Sequence, residues 1–305
     1  MQTAYRTTTY NHHSPHNPPQ ITVQPGETFI AETELCTGGW LLGPEDTWTP
    51  DKTCALNPTV VIAVAGAMPG DQLAVDILDI TPDAQGYTGF ITTPHTLPTQ
   101  ICAHDYGLNT RTLRIADGLV HWSDRIKLPI HPMIGTLGTA PLEETLSNAK
   151  AGAHGGNMDV QEVCAGTTVY LPVAVPGALL HVGDAHALQG DGEICGSGGI
   201  ECRATTRLRV RLVQQPAPMR CVRMEDDAYI MAVACGRDVN ESFREAAAEL
   251  LAWIARDYGF TLEEAYLLMG QVMEARVTQF VNPTTTYICK MPKAVLACNR
   301  QPSDA

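Results

Sequence analysis

Positive charge and aromatic rings are both scarce in this chain. Only 20 Lys and Arg stand against 33 Asp and Glu, a formal charge of -13, and aromatic residues make up 6% of the 305 positions. Nucleic-acid grooves and anionic membrane surfaces both need clustered Lys and Arg, so neither is an expected partner. Long apolar runs are missing too. A bilayer span takes roughly 20 residues, and the longest candidate, from Val169 to Val182, is broken by Pro172, Pro176 and Gly177. The stretch from Met1 to Pro19 is rich in Thr, His and Pro, with one Arg and no apolar segment, unlike a secretory signal. None of the ten cysteines forms a Cys-x2-Cys pair, so they read as reduced, mostly buried thiols of a cytoplasmic protein rather than a disulfide framework or zinc knuckle.

Familiar catalytic signatures are absent as well. No G-x-S-x-G elbow occurs; Ser197 lies between Gly196 and Gly198 without the strand-to-helix pattern that motif requires. There is no phosphate-binding G-x-x-x-x-G-K-[ST] loop. Cys195 sits among acids, which disfavour a reactive thiolate. What is present is 44% apolar residues, 26 glycines and 21 prolines, enough for a sizeable core in one large domain or two ordinary ones.

Strand signals dominate the first two thirds. Pro25-Gly26, Pro69-Gly70 and Pro176-Gly177 each read as a type II turn feeding a strand. Leu73, Val75 and Ile77 alternate with Ala74, Asp76 and Leu78, and Leu208, Val210 and Leu212 alternate with Arg207, Arg209 and Arg211. Both have the period of two of half-buried antiparallel strands, with the arginines on a solvated face. Helical patterning comes late. Ser242 with Glu245, and Thr261 with Glu264, read as capping boxes for helices over about 242–258 and 262–275, with Gly259 as a stop between them. A short strand is expected from Thr285 to Leu296. The expected fold is α+β: a mostly antiparallel β-sandwich over 21–215 after a leader arm at 1–20, then an α+β subdomain at 216–305 carrying a helical hairpin, with a boundary near Gln214-Gln215-Pro216.

From Ala151 to Cys202 there are six acids, Asp159, Glu162, Asp184, Asp191, Glu193 and Glu201, with no Lys or Arg. The same stretch holds eleven glycines and His154, His181 and His186. Taken singly, each residue has an ordinary explanation, since Asp and Gly populate turns and histidines pack in cores. Together, carboxylates and imidazoles without basic partners repel one another unless a cation neutralises them, and the economical reading is a divalent metal site on strand-connecting loops. Asp184 and His186 are two apart, so an extended chain puts both on one face to chelate a cation. Glu193 is then placed to act as general base on water.

These residues lie in strings that resemble the acetamidase/formamidase family. The strings are His121-Trp122, Ile134-Gly135, Gly155-Gly156-Asn157-Met158-Asp159, Val175 to Leu179, Gly183-Asp184-Ala185-His186-Ala187, Gln189 to Glu193, and Ile200-Glu201. Gly66 to Asp79 adds to them, and Glu264 to Leu268 with Gln279 to Pro283 resemble the acetamidase-type branch. The resemblance implies a β-sandwich-based α+β fold, a metal near the acidic loops, zinc ahead of calcium, and hydrolysis of a non-peptide carbon–nitrogen bond. Carried over string by string, the site residues are Asp184 and His186, Glu193, and His154, Asn157 and Asp159. The chain departs from the pattern at Leu35-Cys36, where family members usually place an acid before the small residue; its leader is shortened and the segment after Asp83 is compact.

The expected enzyme is a metal-dependent amidase of small aliphatic amides, with a cation held by Asp184, His186 and His154 or Asp159. Glu193 shuttles the proton to the departing ammonia, with Asp159 beside it in the catalytic set, and Asn157 donates a hydrogen bond to the oxyanion. Two alternatives are a hydrolase of cyclic amides or another non-peptide C–N bond at the same site, and a non-catalytic metal- or ligand-binding β-sandwich. A homodimer or higher homo-oligomer is expected.

Overall fold

The computed structural model describes residues 1–89, 110–195, 198–214 and 216–299; Ser197 and Gln215, discussed above, lie outside them. Among the described residues eighteen strands join in one hydrogen-bonded, mostly antiparallel network that curls on itself, and the helices α1 (Val239–Tyr258), α2 (Leu262–Val272) and α3 (Lys293–Ala297) are C-terminal. The fold is α+β, as the strand-then-helix order of the sequence implies.

Two long strands form the spine. Gln72–Thr88 runs antiparallel to Ile200–Val213 along most of its length, with register shifts between Cys202 and Ala204 and between Arg207 and Leu208 that bend the pair. Gln72–Asp76 also pairs with Thr168–Pro172, and Gln85–Thr88 with Arg111–Arg114. The expected half-buried alternation of Leu73 to Leu78 is corrected here: Ala74 and Asp76 are buried along with Leu73, Val75 and Ile77, because the curl covers both faces. Asp76 accepts from Arg209 at 2.9 Å and from Arg211 at 2.7 Å, so arginines on the otherwise solvated face of Ile200–Val213 neutralise it.

The strand Leu180–Leu188 positions the site. One edge pairs with Met133–Thr139 from Leu180 to His186; the other pairs with Thr59–Ile62 as far as Gly183, then with Ile200–Cys202 from Ala185. Asp184 sits at that change of partner with φ +59. The strand begins at Leu180, because Ala178 and Leu179, after the Pro176-Gly177 turn, take φ +58 and +51.

The first twenty residues are woven into the structure. Thr3–Ala4 pairs parallel with Ile30–Ala31, His12–His13 pairs with Leu146–Ser147, and His13 and Asn17 are buried. A second apolar cluster packs α1 and α2 against Tyr229–Gly236 and Thr285–Pro292. Helix α1 starts three residues before Ser242 because Asp238 is its cap, accepting from Asn240 and Glu241 at 2.9 and 3.0 Å, while Ser242 is buried and donates to the Asp238 carbonyl. The Thr261/Glu264 capping box and the Gly259 stop at φ +73 are as the pattern implies. Helix α2 ends at Val272, where the strand Glu274–Gln279 begins, and α3 follows the strand Thr285–Pro292. No helix among the described residues is long and apolar enough to cross a membrane. None of the nine described cysteines is in a disulfide.

Candidate active site

The site is built at the partner change of Leu180–Leu188. His186 faces Glu201 on the next strand, and Glu201 faces Tyr87 on the one after. Residues in register across neighbouring strands share a face, so this row brings the three side chains together. Asp184 is two residues back along the same strand and Gly135 lies opposite it, between the pairs Ile134/Ala185 and Thr136/Gly183. A methyl group on Gly135 would come within 2.5 Å of Asp159 Oδ1 and 2.7 Å of Asp184 Oδ2. Glycine there makes room for two carboxylates.

Backbone conformation marks the same residues. Among the described residues, seven non-glycine positions have φ in the left-handed region, and Asp159 (φ +47), Asp184 (φ +59) and Glu193 (φ +49) are three of them. Such conformations cost on the order of 1–3 kcal/mol each and cluster at functional sites. Holding three acids this way is a structural expense that points to a role for their side chains.

All five ionisable groups, Asp159, Asp184, His186, Glu193 and Glu201, are buried. His186 Nε2 lies 3.2 Å from Glu201 Oε1 and 3.5 Å from Asp184 Oδ1, at ion-pair distance without hydrogen-bond geometry. Its other nitrogen is fixed by Gln189, whose Nε2 donates to the carbonyls of Asp159 and Thr278 at 3.0 and 3.2 Å. That orients Gln189 Oε1 toward His186 Nδ1 at 2.9 Å, so Nδ1 carries a proton and Nε2 presents a lone pair when the ring is neutral. Asn282 Nδ2 donates to Asp159 Oδ2 at 2.5 Å. Thr136, the cross-strand partner of Asn157, donates from Oγ1 to Asn157 Oδ1 at 2.7 Å and lies 3.2 Å from Asp184 Oδ2. The Asn157 amide therefore offers its Nδ2 to a ligand.

Electrostatically the cluster is unbalanced. Among the described residues no Lys or Arg pairs with any of its four carboxylates. Burial pushes the Glu201 carboxyl up to about 7, and burial with the nearby Asp184 raises Asp159 to about 6. Burial and then Asp159 hold Glu193 well above the usual carboxylate range. For His186 burial works against the charged ring, but Glu201 and Asp184 outweigh it and hold its pKa well above the ordinary value. Asp159 Oδ1, Asp184 Oδ1, His186 Nε2, Glu193 Oε2 and Glu201 Oε2 are all buried without a hydrogen-bond partner. One ligand atom from each of Asp159, His186 and Glu193 lies within 4.8 Å of the others. Orphaned buried oxygens around an imidazole nitrogen are the donor set of a divalent cation such as zinc, and the residues fit one.

A cavity of about 140 Å³ opens onto this cluster. Asp184, Glu193, Glu201, Asn157 and Asn282 line it, and Trp48, Leu56 and Val281 supply apolar wall.

Five of the six residues singled out in the sequence, Asn157, Asp159, Asp184, His186 and Glu193, belong to this site. His154 does not. Its ring packs edge-on to His13 at 5.1 Å between centroids, and His13 stacks on His181 at 4.3 Å. Gly155 and Gly156, at φ +86 and +92, turn the chain between His154 and Asn157, so closeness in sequence does not carry His154 into the cluster. Glu201, Gln189 and Asn282 were not assigned roles from sequence. Their signals were, for Glu201, its place among the six acids of the base-free stretch and in the string Ile200-Glu201, and, for Gln189 and Asn282, membership of the strings Gln189 to Glu193 and Gln279 to Pro283.

Comparison with known proteins places the chain in a family. The Acetamidase/Formamidase family model matches residues 2–153 and 149–297. An acetamidase of Mycolicibacterium smegmatis is 26% identical, the match covering 86% of this chain and 84% of the relative. A formamidase of Methylophilus methylotrophus is 24% identical over 86% of this chain and 82% of its own length. The crystal structure of an acetamidase from Bacillus halodurans superposes with a TM-score of 0.90 at 30% identity, covering 98% of this chain and 100% of that one. The chain belongs to the acetamidase/formamidase family of amidases.

Proposed function

We propose that the protein hydrolyses a small aliphatic amide, of the size of formamide or acetamide, to a carboxylate and ammonia, with a divalent cation as cofactor. The observation that carries this reading is the convergence of five orphaned, buried polar atoms, one imidazole nitrogen and four carboxylate oxygens, beside a cavity. At about 140 Å³ that cavity is well below the roughly 300–1,000 Å³ of drug-sized ligand sites, so a short acyl chain suits it. The family relatives named as acetamidase and formamidase point to the same substrate size.

His186, with Asp184 and Glu201 beside it, would hold the cation, which when bound would supply Lewis-acid polarisation of the carbonyl and make water a stronger acid. Glu193 borders the cavity, placed to take a proton from attacking water and return it to the leaving nitrogen. Asp159 lies beside Glu193 and shares in holding that proton, while Asn282 orients the Asp159 carboxylate. Asn157, held by Thr136, donates Nδ2 to the developing oxyanion, a contribution of about 2.7–4 kcal/mol for a preorganised donor.

The test is hydrolysis of a panel of amides by metal-loaded wild type and Glu193→Gln, read as ammonia from short linear amides and as the ring-opened amino acid from cyclic ones. Turnover of the short linear amides, and a loss of about 10²–10⁴-fold in a folded Glu193→Gln protein, are expected. Wild-type turnover in the variant would remove Glu193 as the base. Turnover confined to cyclic amides would move the substrate class.

A further inference from the structure

Cys36 also borders the cavity, and its Sγ lies within 4.8 Å of a carboxylate oxygen of both Asp184 and Glu201. Those two acids each leave a buried oxygen without a hydrogen-bond partner, Asp184 Oδ1 and Glu201 Oε2. This second grouping adjoins the first, because His186 Nε2 lies 3.2 Å from Glu201 and 3.5 Å from Asp184. The sulfur also ends a hydrogen-bonded chain. Trp40 Nε1 donates to Thr37 Oγ1 at 2.8 Å, Thr37 Oγ1 lies 2.8 Å from the Tyr87 hydroxyl, and that hydroxyl lies 3.0 Å from Cys36 Sγ. An indole N–H can only donate. When the sulfur is anionic every hydrogen in the chain turns toward it, from Trp40 through Thr37 and Tyr87, as in the outer-shell support of metal ligands. Tyr87 is placed for this by register, opposite Glu201 in the row that holds His186.

We propose that Cys36 is a metal ligand of this site, its thiolate joining Asp184 and Glu201 in a mixed sulfur and oxygen subsite next to the Asp159, His186 and Glu193 group, with Tyr87 as a positioning residue. The inference rests on the cation reading given above and deepens it. Binding exchanges the S–H bond for a metal–sulfur bond, and the proton leaves to the buffer. A thiolate in the set tilts preference toward zinc, cobalt and cadmium and away from calcium and magnesium, which take oxygen ligands.

Titration of the metal-free, full-length protein with Co²⁺ tests this, because a cobalt thiolate has a near-ultraviolet charge-transfer band separate from the visible ligand-field bands. The expected result is a saturating charge-transfer band in wild type, its loss in Cys36→Ser, and its retention in Cys54→Ser. Tyr87→Phe guards against a Cys36 variant that fails to fold: it keeps the sulfur and removes the hydroxyl donor. It should retain the band, shifted to lower energy, with Co²⁺ affinity reduced by about 10–100-fold. Visible cobalt bands without charge transfer in wild type, or a band that survives Cys36→Ser, overturn the Cys36 assignment while leaving the cation reading standing. Unchanged band and affinity in Tyr87→Phe contradict the positioning role. Absence of Co²⁺, Zn²⁺ and Cd²⁺ binding in equilibrium dialysis overturns both readings.

Discussion

Replacing Gly135 by alanine separates site geometry from fold stability. The new Cβ would lie 2.5 Å from Asp159 Oδ1, 2.7 Å from Asp184 Oδ2 and 2.9 Å from the Asp184 carbonyl oxygen, where ordinary contact begins near 3.4 Å. Two carboxylates and a stretch of backbone must therefore move by about 0.5–0.9 Å, at an overpacking cost of about 1–3 kcal/mol. Displacements near 1 Å in a reacting site cost about 10²-fold in rate, so kcat for ammonia release should fall about 10–100-fold while the melting temperature drops by only a few degrees. Gly138→Ala is the control on the same strand. Its Cβ would lie 2.5 Å from the Gly156 nitrogen, 2.8 Å from the His154 carbonyl oxygen and 2.9 Å from His13 Nε2, clashes of the same size that touch no site carboxylate. Gly138→Ala should lose comparable stability yet keep near wild-type kcat per folded molecule. Wild-type kcat in Gly135→Ala, or equal losses of kcat in the two folded variants, would refute the reasoning.

The cluster of His13, His154 and His181 makes stability fall in acid. Burial lowers His154 and His181 to about 4 from 6.5, so between pH 6.5 and 4 the unfolded chain takes up protons that the folded one does not. Stability is whole above 6.5 and declines as pH falls, by up to roughly 3 kcal/mol per histidine; urea denaturation at pH 7, 5 and 4 should show this, with a shallower decline in His154→Gln, and equal slopes would contradict it. Gln189→Leu removes the acceptor that fixes the His186 tautomer, and metal affinity in equilibrium dialysis should weaken about 10–100-fold. Gln189→Glu restores an acceptor for Nδ1 and should recover part of it, whereas equal losses in both variants would mean that Gln189 serves only its backbone contacts.

Local chemistry explains what could be read in the chain beforehand. Asp184 and His186 were visible because two positions apart along a strand means one face, and the pair meets even though Asp184 takes a left-handed backbone. Glu193 and Asp159 were visible through an acid-rich, base-free composition. Glu201 was counted among the same acids, but its place beside His186 comes from cross-strand register, a long-range quantity that no local pattern encodes, and Gln189 acts through carbonyls contributed by two distant segments. His154 misled because the glycine turn after it reverses the facing of neighbours. At the start of α1 two residues competed for one role: Asp238 satisfies the first N–H groups, so the Ser242 pattern, equally well formed in sequence, falls inside the helix.

Ammonia release from short linear amides by the metal-loaded full-length protein, with Glu193→Gln alongside, tests the central claim most directly. The account predicts ammonia and carboxylate in equal amounts from formamide or acetamide, with turnover lost in a folded Glu193→Gln protein. A folded, metal-binding protein that releases no ammonia from any short linear amide would contradict it.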